Sequence, residues 1–251
     1  MTVSFLGIMG SIQTIDSGNM SLVISCEGST VMIDVSGSPL ELLHKSGIDP
    51  LRLDAVFLTH SHTDHLYGLP SLVHNLWLLK RKRPLPLYAN QATLSRARAL
   101  CAVFDLEAKQ GIFPLEWREA EGVISVNDLH CEVFPLRHGV PTSGLVFTNL
   151  TKKIVYVADT QPLQEYPAAA ARPDLLIHEA GGIEDNRQKL HAGGHSSGAD
   201  AARAAKCLGA NKLFLCHLPP EKENRERIFE EARSIFYATE IPEPFVSYTA
   251  T

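Results

Sequence analysis

The sequence predicts a mixed fold, α/β or α+β on periodicity alone, with two sheets packed face to face and helices outside. Runs rich in β-branched and aromatic residues cluster toward both ends of the chain. Each cluster is followed by segments whose apolar residues recur at three- and four-residue spacing. No stretch reads as a linker, an internal repeat or a low-complexity tract, so residues 1–251 are expected to form a single domain.

Residues 2–7 and 21–35 read as short strands separated by turn formers, with Glu27-Gly28-Ser29 closing a hairpin between 21–25 and 30–34. Residues 39–46 form a short helix, with Pro39 at its start and Gly47 as its C-cap. Residues 54–58 are a strand. Leu69, Leu72, Val73, Leu76 and Leu79 mark an amphipathic helix within 66–82, closing on Lys80-Arg81-Lys82-Arg83 before Pro84. Cations suit the partial negative charge of a helix C-terminus. The basic run therefore reads as a solvated cap, with a phosphate-attracting patch as the functional alternative. Further strands are expected at 85–88, 113–117, 130–134, 143–148, 154–158, 174–178 and 212–216, and helices at 91–104, 197–208 and 221–237. Ser197 caps the second of these helices, Asp200 lies in its first turn and Gly209 ends it.

The composition, 45% hydrophobic and 20% charged, is that of an ordinary globular protein. No run of about 18 apolar residues exists to span a membrane. Met1 to Gly7 lack the basic and long apolar regions of a signal peptide, so a cytoplasmic protein is expected. The five cysteines are widely and irregularly spaced with no Cys-x-x-Cys, which argues for reduced thiols rather than disulfides or a structural zinc site. A net charge of −5 argues against a broadly basic nucleic-acid surface, though not against a local basic patch.

Chemistry concentrates directly after strand 54–58. His60, His62, Asp64 and His65 fall within six positions. His60 and His62, two apart on extended backbone, point the same way and suit one metal ion. Asp64 and His65 follow once the chain has turned, and suit a second ion. Two metals about 3.5–4 Å apart clamp the attacking and leaving oxygens of a displacement. Such a pair needs further ligands, and His138, Asp159 and His217 each stand just after a strand-like apolar run.

The pattern His-x-His-x-Asp-His resembles the signature of the metallo-β-lactamase superfamily. That resemblance implies an α+β fold, the four-layer αβ/βα sandwich, with metals in a cleft at one edge. Carried over by position, it implies that His60, His62 and His138 hold one metal, Asp64, His65 and His217 the other, and that Asp159 bridges them. A hydroxide between the ions would be the nucleophile, oriented by Asp64 and Asp159. Zinc is the expected metal, with manganese or iron as alternatives.

Two more segments narrow the branch. Leu175-Leu176-Ile177-His178-Glu179-Ala180 and Gly194-His195-Ser196-Ser197 resemble the His-Glu-Ala-Thr and Gly-His-Ser-Thr segments of ribonuclease Z, the tRNA 3′-end endonuclease. His138-Gly139-Val140-Pro141-Thr142-Ser143-Gly144 is similar to the same family's third metal-binding segment. The resemblance implies that Glu179 and His195 together protonate the leaving oxygen, as an alkoxide requires; His178 is read as structural. The chain departs from that family in three places. Only twenty residues separate His138 from Asp159, leaving no room for the tRNA-binding arm; Leu218-Pro219-Pro220-Glu221 replaces a Ser-Pro-Arg-Tyr-like run; and Asp34-Val35-Ser36-Gly37 replaces an Asp-Cys-Gly-Glu-Gly-like run. The expectation is therefore a metal-dependent, ribonuclease Z-like phosphodiesterase acting on a small or cyclic phosphodiester or an RNA end. A carboxylic ester, lactone or thioester hydrolase of the same fold is the alternative, and a tRNA endonuclease or a non-catalytic member ranks lower. Family resemblance also makes a homodimer plausible.

Overall fold

Strands buried on both faces read as nearly continuous apolar runs, and those of this chain serve two cores at once. In the computed structural model, which describes residues 1–251, Val3, Phe5, Leu22, Ile24, Val31, Ile33, Ala55 and Phe57 join one core. Their neighbours Leu6, Val23, Met32, Val56 and Leu58 join a second. This is the two-residue period of extended backbone. The strands that carry it are β1 (Thr2–Gly7), β2 (Ser21–Ser25), β3 (Thr30–Ile33) and β4 (Ala55–Phe57).

The remaining strands are β5 (Leu85–Ala89), β6 (Leu115–Glu119), β7 (Val123–Val126), β8 (Leu129–Leu136), β9 (Thr142–Thr148), β10 (Lys153–Val157), β11 (Leu175–Glu179), β12 (Leu213–Cys216), β13 (Thr239–Glu240) and β14 (Ser247–Thr249). They form two seven-stranded sheets, in the orders β14-β1-β2-β3-β4-β5-β6 and β13-β12-β11-β10-β9-β8-β7. The inner faces meet edge-on through Phe57 against Phe147, centroids 5.4 Å apart, and Phe5 against Phe214, 5.7 Å apart. Helices α1 (Pro39–Lys45), α2 (Thr63–Leu66), α3 (Leu69–Leu78) and α4 (Gln91–Ala102) follow the first strands, and Leu43, Leu69, Leu72, Leu76, Leu94 and Ala97 complete the core outside the first sheet. After α5 (Arg187–Ala192), α6 (Gly198–Leu208) and α7 (Lys222–Ile235) pack Ala201, Ala205, Ile228 and Ala232 on the other side. The result is the four-layer α+β sandwich that the sequence predicts. No helix is long and apolar enough to cross a membrane.

Strand direction positions the site. β3 pairs parallel with β4, and β10, β11 and β12 are mutually parallel. Their carboxyl ends open at one edge of the sandwich, where such sheets offer a crevice. Backbone bonds join the two sheets there: Ser143 N–H to Thr59 O (3.0 Å), Leu218 N–H to Ile8 O (3.0 Å) and Gly10 N–H to Leu218 O (2.9 Å).

Two expectations need correction. The helix expected over 66–82 is divided into α2 and α3 at Tyr67-Gly68, where Gly68 N–H meets Val35 O at 2.9 Å and a Cβ would touch that oxygen. Pro70, lacking an N–H, suits the first turn of the new helix. The basic run is a solvated cap only in part. The N–H groups of Lys80 and Arg81 close the helix on Trp77 O and Leu76 O (both 3.0 Å) and Lys80 and Lys82 are exposed, but the two arginines are tied up rather than free for a phosphate. Lys80 takes a left-handed φ of 61° beyond the helix, buried Arg81 donates to the carbonyls of Arg83 and Pro84, and Arg83 pairs with Asp54 at 2.6 Å. Strands β7, β13 and β14 and helix α5 were not expected from the sequence; each is at most six residues long.

The start of α6 carries the expected Ser197 cap as a full capping box with Asp200. Burial disfavours the Asp200 carboxylate, but His191 (2.8 Å), Arg203 (2.7 Å) and Ser197 hold its pKa down to about 2. An aspartate in the unfolded chain titrates near 3.9. The carboxylate therefore contributes stability that is fully present above about pH 4 and lost as pH falls towards 2. Asp200→Asn is expected to cost on the order of 2 kcal/mol at pH 7 and to flatten this acid limb in denaturant titrations; an unchanged limb would contradict the assignment.

Candidate metal centre

Asp34 organises the first motif from beneath. It follows β3 directly in a left-handed conformation, φ 54°, and is fully buried. Its carboxylate accepts from Thr59 N–H (2.7 Å), the Thr59 hydroxyl (2.8 Å) and His65 Nδ1 (2.8 Å). One side chain thus fixes both ends of the segment 59–65. With its Nδ1 proton on Asp34, His65 turns an Nε2 lone pair inward, the arrangement by which a carboxylate orients a metal-binding histidine.

The structure brings all seven expected ligands together. His60, His62, His138 and Asp159 offer donor atoms within 4.8 Å of one another, and so do Asp64, His65 and His217. Asp159 faces both sets. Its Oδ2 lies 3.6 Å from His60 Nε2, 3.8 Å from His138 Nε2 and 3.2 Å from His217 Nε2, and its Oδ1 lies 3.6 Å from His65 Nε2. Asp64 Oδ2 stands 3.5 Å from His65 Nε2 and 3.4 Å from His217 Nε2.

Most of these separations are too long for hydrogen bonds. As a result His60 Nε2, His65 Nε2 and Asp159 Oδ1 are buried without any partner. Leaving such a group unsatisfied costs about 1–3 kcal/mol, and three converge on one spot. Divalent cations would satisfy them, and a donor set of imidazoles and carboxylates suits zinc, manganese or iron. Protonation agrees with this fit. Burial and neighbouring His65 push the His60 pKa down to about 2, and burial with His138 lowers that of His62. Asp64 is held below the usual carboxylate range, against its burial, by His217 and His65. Neutral imidazoles and ionised carboxylates are the forms that bind metals. His65, whose pKa is raised against its burial by the Asp159 and Asp34 carboxylates, would give up its Nε2 proton to an ion.

Backbone conformation aims the later ligands. His217 leaves β12 with φ 52°, strained for a residue with a Cβ, and its ring lies against Gly10, where a Cβ would come within 3.1 Å. His138 Nδ1 donates to Gly194 O at 2.8 Å, which leaves Nε2 facing the cluster. Gly194 has φ +82°, and a Cβ there would stand 2.6 Å from that Nδ1.

Glu179 and His195 meet as the sequence predicts. Glu179 ends β11, fully buried, and accepts from Thr160 N–H (2.7 Å) and Gly181 N–H (3.1 Å). Its Oε1 receives His195 Nδ1 at 3.1 Å. The His195 ring stacks on His217, centroids 5.3 Å apart, and its side chain is 27% exposed to the cleft. Burial alone would lower its pKa; the Glu179 carboxylate, aided by Asp159 and Asp64, raises it to about 9. His178 is buried, with Nδ1 on the carbonyl of Glu179, and stands outside the ligand groups, in keeping with a structural reading. Sequence reasoning gave no role to Asp34 or Gly194. Asp34 carried a usable signal, since it follows the apolar run of β3 as the ligands follow theirs.

A family model described as "Beta-lactamase superfamily domain" matches residues 31–218. The ribonuclease Z of Pyrococcus horikoshii is 28% identical to this chain, covering 97% of it and 94% of the relative. That alignment runs over 301 positions against 251 residues here, so the relative carries segments with no counterpart in this chain. The metallo-beta-lactamase fold protein YhfI from Bacillus subtilis superposes with a TM-score of 0.85 at 20% identity, covering 98% of both chains. The short form of human tRNase Z does so with a TM-score of 0.81 at 21% identity, covering 100% of both.

Two substitutions test the supporting residues. Asp34→Asn should weaken metal affinity about 10–100-fold in competition with a chelating dye; unchanged affinity would show that Asp34 does not orient His65. Gly194→Ala should displace His138 and lower the bound metal from two equivalents toward one, measured by elemental analysis. Two tightly held equivalents would contradict the account of His138.

Proposed function

The chain belongs to the beta-lactamase superfamily, and within it we propose a dinuclear metal-dependent phosphodiesterase acting on a small or cyclic phosphodiester. Residues 1–251 are taken to act as one catalytic domain. The observation that carries the reading is the Glu179–His195 pair beside the ligand cluster, with His195 grouped with Asp159 and His217 within 4.8 Å. A protonated, carboxylate-held imidazole beside a metal site answers the need of an alkoxide leaving group. An ester or thioester hydrolase has less use for one.

When bound, by zinc in the first instance, two divalent ions polarise the phosphoryl oxygens and acidify water. His60, His62 and His138 would hold one ion and Asp64, His65 and His217 the other, with Asp159 between. Asp64 and Asp159 present carboxylate oxygens that orient the attacking water. As its oxygen bonds to phosphorus and the bond to the alcohol breaks, His195 passes its Nε2 proton to the departing oxygen. Glu179, on Nδ1, holds the ring in place throughout. The products are a phosphomonoester and an alcohol.

A cleft of about 640 Å3 fronts the cluster, walled by Ser11, Gln13, Asn19, Thr63 and Tyr67. Hydroxyl and carboxamide groups suit a hydroxylated, singly charged diester. An RNA end is the second substrate reading, favoured by the similarity to ribonuclease Z.

Zinc- or manganese-loaded protein is expected to hydrolyse bis-p-nitrophenyl phosphate, and Asp159→Ala to abolish turnover. Two bound metals without turnover would favour the ester and thioester reading instead. His195→Ala should lower kcat about 10²–10⁴-fold on diesters with alkyl leaving groups. On p-nitrophenyl esters, whose leaving group needs no proton, the loss should be much smaller. Equal losses on both would remove His195 from the acid role.

A further inference from the structure

We infer that the cleft is a two-chamber site, whose second chamber receives a single-ring aryl or short alkyl substituent of the diester. This deepens the phosphodiesterase reading and rests on it. A phosphodiester carries two substituents, and the space in front of the metal ligands is itself divided. Ser11 and His195 line both parts. Ser11, whose hydroxyl donates to Asp64 Oδ2 at 3.3 Å, and the His195 ring therefore form the waist between them.

On one side lies the 640 Å3 polar chamber. On the other lies a chamber of about 210 Å3, walled by Ile12, Leu218, Pro219 and Pro220 and, toward the metal ligands, by His217 and His195. Its volume exceeds the roughly 150 Å3 of a cavity that takes up one benzene ring. Gly10 and Gly181 also border it, and the missing side chains keep it open.

The chamber is built rigidly. Leu218 N–H donates to Ile8 O at 3.0 Å and Leu218 O accepts from Gly10 N–H at 2.9 Å. Arg225 Nη1 binds the carbonyls of Pro219 (3.2 Å) and Pro220 (2.5 Å). Two consecutive prolines add stiffness of their own. Away from His195 and His217 on its metal-facing side, the wall is apolar and carries no charged side chain, which matches an apolar substituent, because a hydroxylated one would lose its hydrogen bonds to water there. Leu218-Pro219-Pro220 is also where the sequence departs from the ribonuclease Z-like run, and Ile12, 64% exposed, stands free to contact a ligand.

The test is equilibrium binding to zinc-loaded protein of methylphenylphosphinate and dimethylphosphinate, in which both substituents are joined through carbon and nothing can leave. Calorimetry should show the phenyl compound binding about tenfold more tightly, as burial of one ring allows. Ile12→Asp should cut that preference at least fivefold, read as the ratio of the two affinities so that any repulsion common to both anions cancels, and Ile12→Leu should retain it. Protein that hydrolyses diesters but binds both phosphinates equally overturns the second chamber and leaves the phosphodiesterase standing. A phenyl preference lost in Ile12→Asp, in protein that hydrolyses no diester, supports the chamber and overturns the phosphodiesterase.

Discussion

Buried nitrogen and oxygen lone pairs that face one another without hydrogen-bonding are the constraint on which this structure depends. His60 Nε2, His65 Nε2 and Asp159 Oδ1 are all withdrawn from water and have no partner. A fold tolerates such a cluster only if something else holds it in place. Here that support comes from groups one step further out. Asp34 bonds Thr59 and His65, Gly194 O holds His138, and Thr59 Oγ meets His60 Nδ1 at 3.0 Å. Each fixes the outward nitrogen of a ring and so aims the inward one.

The sandwich supplies the rigidity these contacts require. Parallel strands from both sheets end at one edge, and each contributes a residue as its apolar run stops: Asp34 after β3, His60 after β4, Asp159 after β10, Glu179 at the end of β11 and His217 after β12. A ligand at a strand end inherits the precision of a core packed on both faces. Strain is tolerated there as well, in the left-handed conformations of Asp34 and His217.

Much of this was legible in the sequence because it follows from local pattern. Strand period, the Ser197 cap and the spacing of His60, His62, Asp64 and His65 are properties of short segments, and short segments survive reading in one dimension. What escaped depends on contacts between distant residues. Gly68 breaks the expected helix because Val35 O approaches it, and Arg81 is buried where Leu51 O and the Phe113 ring, each about thirty residues away, meet its guanidinium. Strand β13 has two residues and β14 three, too few to show a period. The bond from Asp34 to His65 joins residues thirty-one apart. Its residue type was visible in the sequence; its partner was not.

The central claim is a pair of metal ions bridged by Asp159, and X-ray absorption at the zinc edge of the zinc-loaded protein tests it most directly. The account predicts a first shell of nitrogen and oxygen only, with metal–metal scattering at about 3.5–4 Å that disappears in Asp159→Ala. A single isolated ion, a sulfur ligand, or metal–metal scattering unchanged by the substitution would contradict it.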